Sequence, residues 1–336
     1  MTVRILSTLR TTAPGVTHHD FQAARRSLRS RVSSFVDRAE GFDAVVLTGS
    51  VSLRQRYDQL IAARLVSRRF PHKPVVLADC TWEAGSRAVS ALLRAPRPVG
   101  VDAPGAHLRR INRLAIGRLR APNLHCCVLS SHEKEQFGDS WGFDPDQVHF
   151  TPYWSSNLEA LTTAAVNRNE PIVFAGGDSM RDYRTLLEAA PDIQATLMVA
   201  TRLLMPRTTA PNVVAGPLPT QEYNAAAAAA TVSVVPLIAD AQRSGGQKTY
   251  LGAMALGQPV VVPQAPGVLD YIEPGRTGLV PPAGDAAALA ESINALLADP
   301  GWADQLGRAA RTTVRSQFTR ERYASALYGL AADLAA

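Results

Sequence analysis

Lysine occurs only three times in the 336 residues, at Lys73, Lys134 and Lys248, and the last lies in a glycine-rich run, Ser244-Gly245-Gly246-Gln247-Lys248-Thr249. A β-branched stretch ending at Pro236 precedes this run. An Ala/Leu/Met helix ending near Gly257 follows it, and then a second buried-type strand, Pro259-Val260-Val261-Val262. Strand, loop, helix and strand in this order suit an anion, because glycines let the backbone approach closely and the unpaired N–H groups of the helix start face the charge. An ordinary βαβ turn has the same spacing. A phosphorylated ligand also needs a cation aimed at the same point. Lys248 is one candidate, and Arg181, after the turn Gly176-Gly177-Asp178-Ser179, is another. The alternatives are a helix-start arginine paired with Asp178 or Asp182, and a solvated surface lysine.

The first half offers carboxylates and imidazoles. Asp79, in Val75-Val76-Leu77-Ala78-Asp79-Cys80-Thr81-Trp82-Glu83, follows a buried strand on the side where open α/β sheets bind ligands. There it could orient a hydroxyl or act as a base, or it could cap a helix. Asp102, His107, His18 and His19 are weaker candidates, since histidines in arginine-rich segments are mostly surface groups.

Short β-rich runs alternating with helical segments must position these residues. In the first half, 3–6, 44–48, 75–79, 98–101, 124–129 and 148–151 read as strands. A helix over 21–40 places Phe21, Ala24, Leu28, Val32, Phe35 and Val36 on one buried face. In the second half, strands are expected at 172–175, 195–200, 212–215, 232–235, 260–262 and 278–280. Closing helices are expected over 286–298, 302–317 and 320–334, and the alanine run 225–230 is helical by propensity. The alternation implies an α/β fold of two parallel-sheet domains with ligands at strand C-terminal ends. The boundaries expected are 1–152, a linker 153–169, a second domain 170–318, and a terminal helix 319–336 returning to the first domain.

From Ala253-Met254-Ala255-Leu256-Gly257-Gln258-Pro259-Val260-Val261, through 267–272, to Gly275-Arg276-Thr277-Gly278-Leu279-Val280-Pro281-Pro282-Ala283-Gly284-Asp285, the chain resembles the donor domain of GT-B nucleotide-sugar glycosyltransferases. The similarity is greatest to the retaining group 1, or family 4, enzymes. It covers roughly 100 residues and loosens before about Val148.

That resemblance implies a GT-B fold, two Rossmann-like domains facing across a cleft, and transfer of a hexose from a nucleoside diphosphate sugar to an acceptor hydroxyl with retention. The family ends a strand in Gly-Arg with a Lys in the next turn, both addressing the diphosphate. Here Gly177 stands at the Arg position and Arg181 near the Lys position. Gly216 lies where the family presents backbone to the nucleobase, or it simply ends a strand. The loop Ser244, Gly245, Gly246, Gln247, Lys248 and Thr249 would hold the donor.

Departures are equally specific. The family's two glutamates eight positions apart are replaced by Ser244 and Gly252, and Asp240, at the family's interval after Pro236, is the available acid. With Asp79 it completes the catalytic candidates. The resemblance implies no cofactor beyond the donor and no metal. A catalytically silent GT-B subunit binding a partner or glycan, and a nucleotide-sugar epimerase, are the alternatives.

Three cysteines, Cys80, Cys126 and Cys127, fit buried thiols in a reducing compartment, and their spacing does not suggest a metal site. No run of 18 apolar residues is present and the first strand is charged, so a cytoplasmic, bacterial protein is expected. Nucleic-acid signatures are absent. Residues 1–150 carry a net charge of +9 and the remainder −3. The basic half should therefore meet something anionic, either an acceptor (an anionic glycan, a lipid-linked molecule or a small molecule) or the inner membrane face through 105–120.

Overall fold

The named strands pair in parallel throughout, as buried β-branched runs separated by helices require. The structure is a computed structural model, and it describes residues 3–11, 13–21, 27–50, 58–82, 113–114, 116–163, 170–203 and 210–336. The chain divides into two units, Met1–Thr151 with Glu321–Ala336, and Pro152–Arg320.

In the first unit the strands are β1 (Ile5–Ser7), β2 (Val16–His18), β3 (Ala44–Thr48), β4 (Val75–Ala78), β5 (Leu124–Val128) and β6 (Val148–Phe150). Their order in the sheet is β2-β1-β3-β4-β5-β6. Helices α1 (Leu28–Ala39), α2 (Asp58–Arg69) and α3 (Ser131–Trp141) belong to this unit, as does most of the terminal helix Arg320–Asp333. Ser130 caps the start of α3: its hydroxyl accepts from the Glu133 N–H at 3.1 Å and donates to the Glu133 carboxylate at 2.8 Å. Gly142, left-handed at φ 76°, ends it. Leu6, Phe35, Leu47, Val66, Leu77 and Leu124 form the centre of the core.

The second unit contains α4 (Leu158–Thr162), β7 (Ile172–Gly176), α5 (Tyr183–Ala189), β8 (Thr196–Ala200), β9 (Val213–Gly216), α6 (Thr220–Ala229), β10 (Val232–Val234), α7 (Gln247–Leu256), β11 (Val260–Val261), α8 (Ala286–Ala298) and α9 (Pro300–Gln317). Its sheet runs β11-β10-β7-β8-β9. Successive strands step outward from β7 in one direction and then, from β10, in the other, so the topological switch lies between β7 and β10. One core, around Leu186, Leu197 and Ile293, packs one group of helices, and another, around Tyr250, Met254 and Val260, packs α7.

Several expectations are corrected. The first helix begins at Leu28, with Ser27 as cap, so Phe21 is buried from outside the helix and Leu28 is 42% exposed. Residues 278–280 form only isolated bridges, Val261 with Leu279 and Pro274 with Gly278, because the tight turn at Glu273–Thr277 leaves no length for a ladder. The strand β2 was not foreseen. The 153–169 stretch contains α4, whose Leu161 is buried, and α9 starts two residues early because Asp299 accepts from the Trp302 N–H at 2.9 Å and Pro300 suits a first helical turn. The expected strand at 98–101, Ala24, Asp102 and His107 lie outside the described residues. Among the described residues no helix is long and apolar enough to cross a membrane.

One close backbone approach makes a glycine obligatory. A Cβ on Gly307 of α9 would lie 2.0 Å from the carbonyl oxygen of Gly257, the left-handed residue that ends α7. Alanine would gain about 1 kcal/mol in helix propensity, but neither backbone can move aside. Gly307→Ala should therefore lower stability by about 1–3 kcal/mol in denaturant unfolding, the usual range for overpacking.

Candidate functional site

At the switch point of the second unit, the segments that follow β7 and β10 are tied together. The Asp182 N–H donates to the Pro236 carbonyl at 2.8 Å and the Ile238 N–H to the Met180 carbonyl at 3.2 Å, around an antiparallel bridge between Arg181 and Leu237. This holds Met180 at φ 56°, a conformation rare for a side-chain-bearing residue. Arg243 donates to the Ser179 hydroxyl at 2.9 Å and to the Ser244 carbonyl at 3.1 Å. Gly177, Arg181 and the loop 243–249 therefore form one constellation.

Arg181 is at its centre. Its Nε donates to the Gly176 carbonyl at 3.1 Å, one terminal nitrogen to the Ser179 carbonyl at 2.7 Å and the other to Thr249 Oγ1 at 3.0 Å. The carboxylates suited by position to pair with it are engaged elsewhere. Asp182 caps α5 by accepting from the Thr185 N–H at 3.1 Å, and Asp178 binds Thr201 and Arg202 at the end of β8. Among the described residues Arg181 makes no ion pair. Burial works against its charge and lowers its pKa, with Tyr183, Tyr223 and Asp178 opposing that shift. A sequestered guanidinium bound by neutral acceptors is an incomplete charge system that an anion would complete.

Gly177, at φ 111°, is fixed by the same arginine. A Cβ there would lie 2.8 Å from an Arg181 terminal nitrogen, so the guanidinium occupies the space in which any side chain at 177 would begin. The Tyr183 hydroxyl donates to the Gly177 carbonyl at 2.7 Å, and burial pushes its pKa up to about 12. Tyr223 lies against Gly176, where a Cβ would come within 2.5 Å of its hydroxyl oxygen. Sequence reasoning singled out neither tyrosine. A lone aromatic in the alanine-rich α6 was the available signal for Tyr223.

Helix α7 begins at Gly246, left-handed at φ 83° and in close contact with Val235. Among the described residues, the N–H groups of Gly245, Gly246, Gln247 and Lys248 have no acceptor, as expected at a helix start. Gln247 and Ser244 are buried and bonded to each other, Nε2 to Oγ at 2.5 Å, so they brace the loop. Thr249 orients Arg181. Lys248 is exposed and makes no hydrogen bond or ion pair among the described residues.

Other candidates lie apart. Gly216 ends β9, two strands from β7 on the sheet edge, and an added Cβ would meet nothing within 4 Å. Asp240 is exposed in the turn between β10 and Arg243. A Cβ on Gly252 would lie 2.8 Å from both side-chain polar atoms of Asn157 and 2.9 Å from Leu161, so part of the volume beside α7 at that position is filled from α4 and its cap.

In the first unit Asp79 follows β4 in the left-handed region, at φ 56°. Its Oδ1 accepts from the Tyr323 hydroxyl at 2.5 Å, and Tyr323 comes from the terminal helix. Burial raises the Asp79 pKa, with the Tyr323 bond opposing. His19 packs edge-on against Phe21 and Phe35, while His18 bonds the Leu9 carbonyl. Both imidazoles are thereby accounted for structurally. Among the described residues no three His, Cys, Asp or Glu side chains come together as a metal site.

Residues 170–299 match the family described as "Glycosyl transferases group 1". The stretch is similar to that family's domain. It contains the whole constellation from Gly177 to Thr249. No curated protein aligns significantly with the chain. Among solved structures, a glycosyltransferase from Rickettsia africae is 12% identical with a TM-score of 0.63, over 95% of this chain and 85% of that one. HepE of Anabaena, solved in complex with UDP-glucose, is 15% identical with a TM-score of 0.61, over 94% and 86%. A sucrose-phosphate synthase from Thermosynechococcus elongatus is 20% identical with a TM-score of 0.58, over 96% and 84%. At these identities the likeness is one of fold: the two units are the Rossmann-like domains of a GT-B architecture.

Proposed function

We propose that the protein transfers a hexose from a nucleoside diphosphate sugar to an acceptor hydroxyl, with retention of configuration. The observation that carries this reading is the sequestered Arg181 guanidinium, free of carboxylate partners, on the same switch-point constellation as the unengaged amides of residues 245–248. When the glycosidic bond breaks, charge accumulates on the departing diphosphate. Donors already held in place stabilise that charge without reorganising. Arg181 supplies a fixed cation and the amides supply dipoles. Lys248 adds a solvated charge in the first turn of α7, and Asp240 is the acid available on the adjoining loop. Gly216 would present backbone to the base. Asp79, held by Tyr323, would orient or deprotonate the acceptor hydroxyl.

The changes at the family's glutamate positions favour one second reading. Ser244 is committed to Gln247 and Gly252 is packed under Asn157 and Leu161, an arrangement that also suits a subunit that binds donor without turning it over. A thermal-shift panel of UDP, GDP, ADP, dTDP and their glucose conjugates tests donor binding, with UDP and UDP-glucose first because HepE was solved with both. A true ligand should stabilise by about 2.7 kcal/mol at a hundred times its Kd. No shift from any member at millimolar concentration would contradict the proposal. A shift without transfer to any acceptor and without slow donor hydrolysis would select the silent subunit.

A further inference from the structure

Helix α2 has two faces. Its inner residues, Leu60, Ala62, Ala63 and Val66, are buried against the first unit's core. On its outer face Ile61 and Leu65 are 39% and 44% exposed, and their four-residue spacing places them side by side with Arg64 and Arg68. Beside them lie residues 116–120, in which Ile116 and Leu119 are buried, and just before them Leu114 is 56% exposed. Ile61, Leu65, Ile116 and Leu119, with Arg64 and Arg68, line a groove of about 410 Å³. Among the described residues seven large apolar side chains are exposed; Ile61 and Leu65 line this groove, and Leu114 lies two residues before Ile116 of its wall.

The charge around the groove is equally concentrated. Among the described residues Arg64, Arg68 and Arg113 make no ion pair, and Arg118 bonds only the Leu114 carbonyl. Arg69, on the same helix but turned away, is neutralised by Asp37 and Glu40. An apolar floor rimmed by unneutralised guanidinium groups fits a surface that is apolar below and phosphate-bearing above. The net +9 of residues 1–150 opposes pairing of this face with its own copy.

We propose that this groove seats the first unit on an anionic lipid surface. Ile61, Leu65 and Leu114 enter the boundary between headgroups and acyl chains, while Arg64, Arg68, Arg113 and Arg118 meet lipid phosphates. The proposal stands apart from glycosyl transfer and holds or fails without it.

Sedimentation of the full chain with vesicles of phosphatidylcholine containing phosphatidylglycerol, against phosphatidylcholine alone, tests it. Binding to the anionic vesicles alone at low salt is expected, with release as salt rises. Each arginine near such a surface strengthens binding by about fivefold, so R64E/R68E should lower the partition coefficient by at least ~25-fold. R308E/R315E, an equal charge change on exposed positions of α9, should leave most of the binding intact. I61S/L65S should weaken binding at low salt too, which purely electrostatic attraction would not show. Melting curves of each variant establish that it folds. Equal binding to neutral vesicles, no binding at all, or undiminished binding by R64E/R68E would overturn the proposal. So would a dimer in lipid-free sedimentation that the groove variants abolish, since the face would then be a chain–chain interface.

Discussion

Arg181→Ala is expected to weaken nucleoside diphosphate binding about 10- to 100-fold, the loss of ~1.5–3 kcal/mol that accompanies removal of a charge-assisted contact. The size follows from where the guanidinium sits. It is partly buried and bound only by two carbonyls and a hydroxyl, so its interaction with an anion is less screened than that of a fully exposed cation. Lys248 is exposed, and Lys248→Ala should cost less and fade as salt rises. Titration calorimetry of both variants with the same nucleotide measures the difference. Equal, small losses would mean that the diphosphate does not reach Arg181. Arg181→Lys separates charge from geometry: it keeps the cation but cannot bond Gly176, Ser179 and Thr249 together as a planar fork does.

Asp79→Asn should lower turnover about 10²-fold or more while donor affinity stays unchanged, as expected for a group acting on the acceptor's proton. A second signature distinguishes this role from that of a structural bond. Burial raises the Asp79 pKa in the folded protein, with the Tyr323 hydrogen bond opposing. Between the ordinary carboxylate range and that raised value the native state therefore binds more protons than the unfolded chain, and stability falls as pH rises. Asparagine has no charge to desolvate and still accepts from Tyr323. The variant should melt at or above the wild-type temperature near neutral pH, with the gap closing in acid. A variant that is less stable at neutral pH, or one with wild-type turnover, would reduce Asp79 to a structural acceptor.

Much of the framework was legible from residue types because the deciding forces are local. The strand β7, the start of α7 after two glycines and its end at Gly257 follow from buried runs and left-handed caps. Arg181's partners were not legible. Asp178 and Asp182 flank it in sequence, yet one is drawn to Arg202, 24 residues on, and the other caps α5. Tyr323 bonds Asp79 across 244 residues, a pairing that no periodicity encodes. The strand β2 is three residues, Val16-Thr17-His18, too short to show alternation. Helix α2 shows the same limit in reverse, since Ile61 and Leu65 resemble core residues until their neighbours are known.

The central claim is that a donor diphosphate sits where β7 and β10 diverge, against Arg181 and the first turn of α7. Amide hydrogen exchange tests it most directly, because the N–H groups of residues 245–248 have no acceptor among the described residues and should exchange fast in the free protein. With a saturating amount of the nucleoside diphosphate that most raises the melting temperature, exchange should slow in peptides covering 177–182 and 243–250. Protection confined to other segments, with these two unchanged at saturation, would contradict the site.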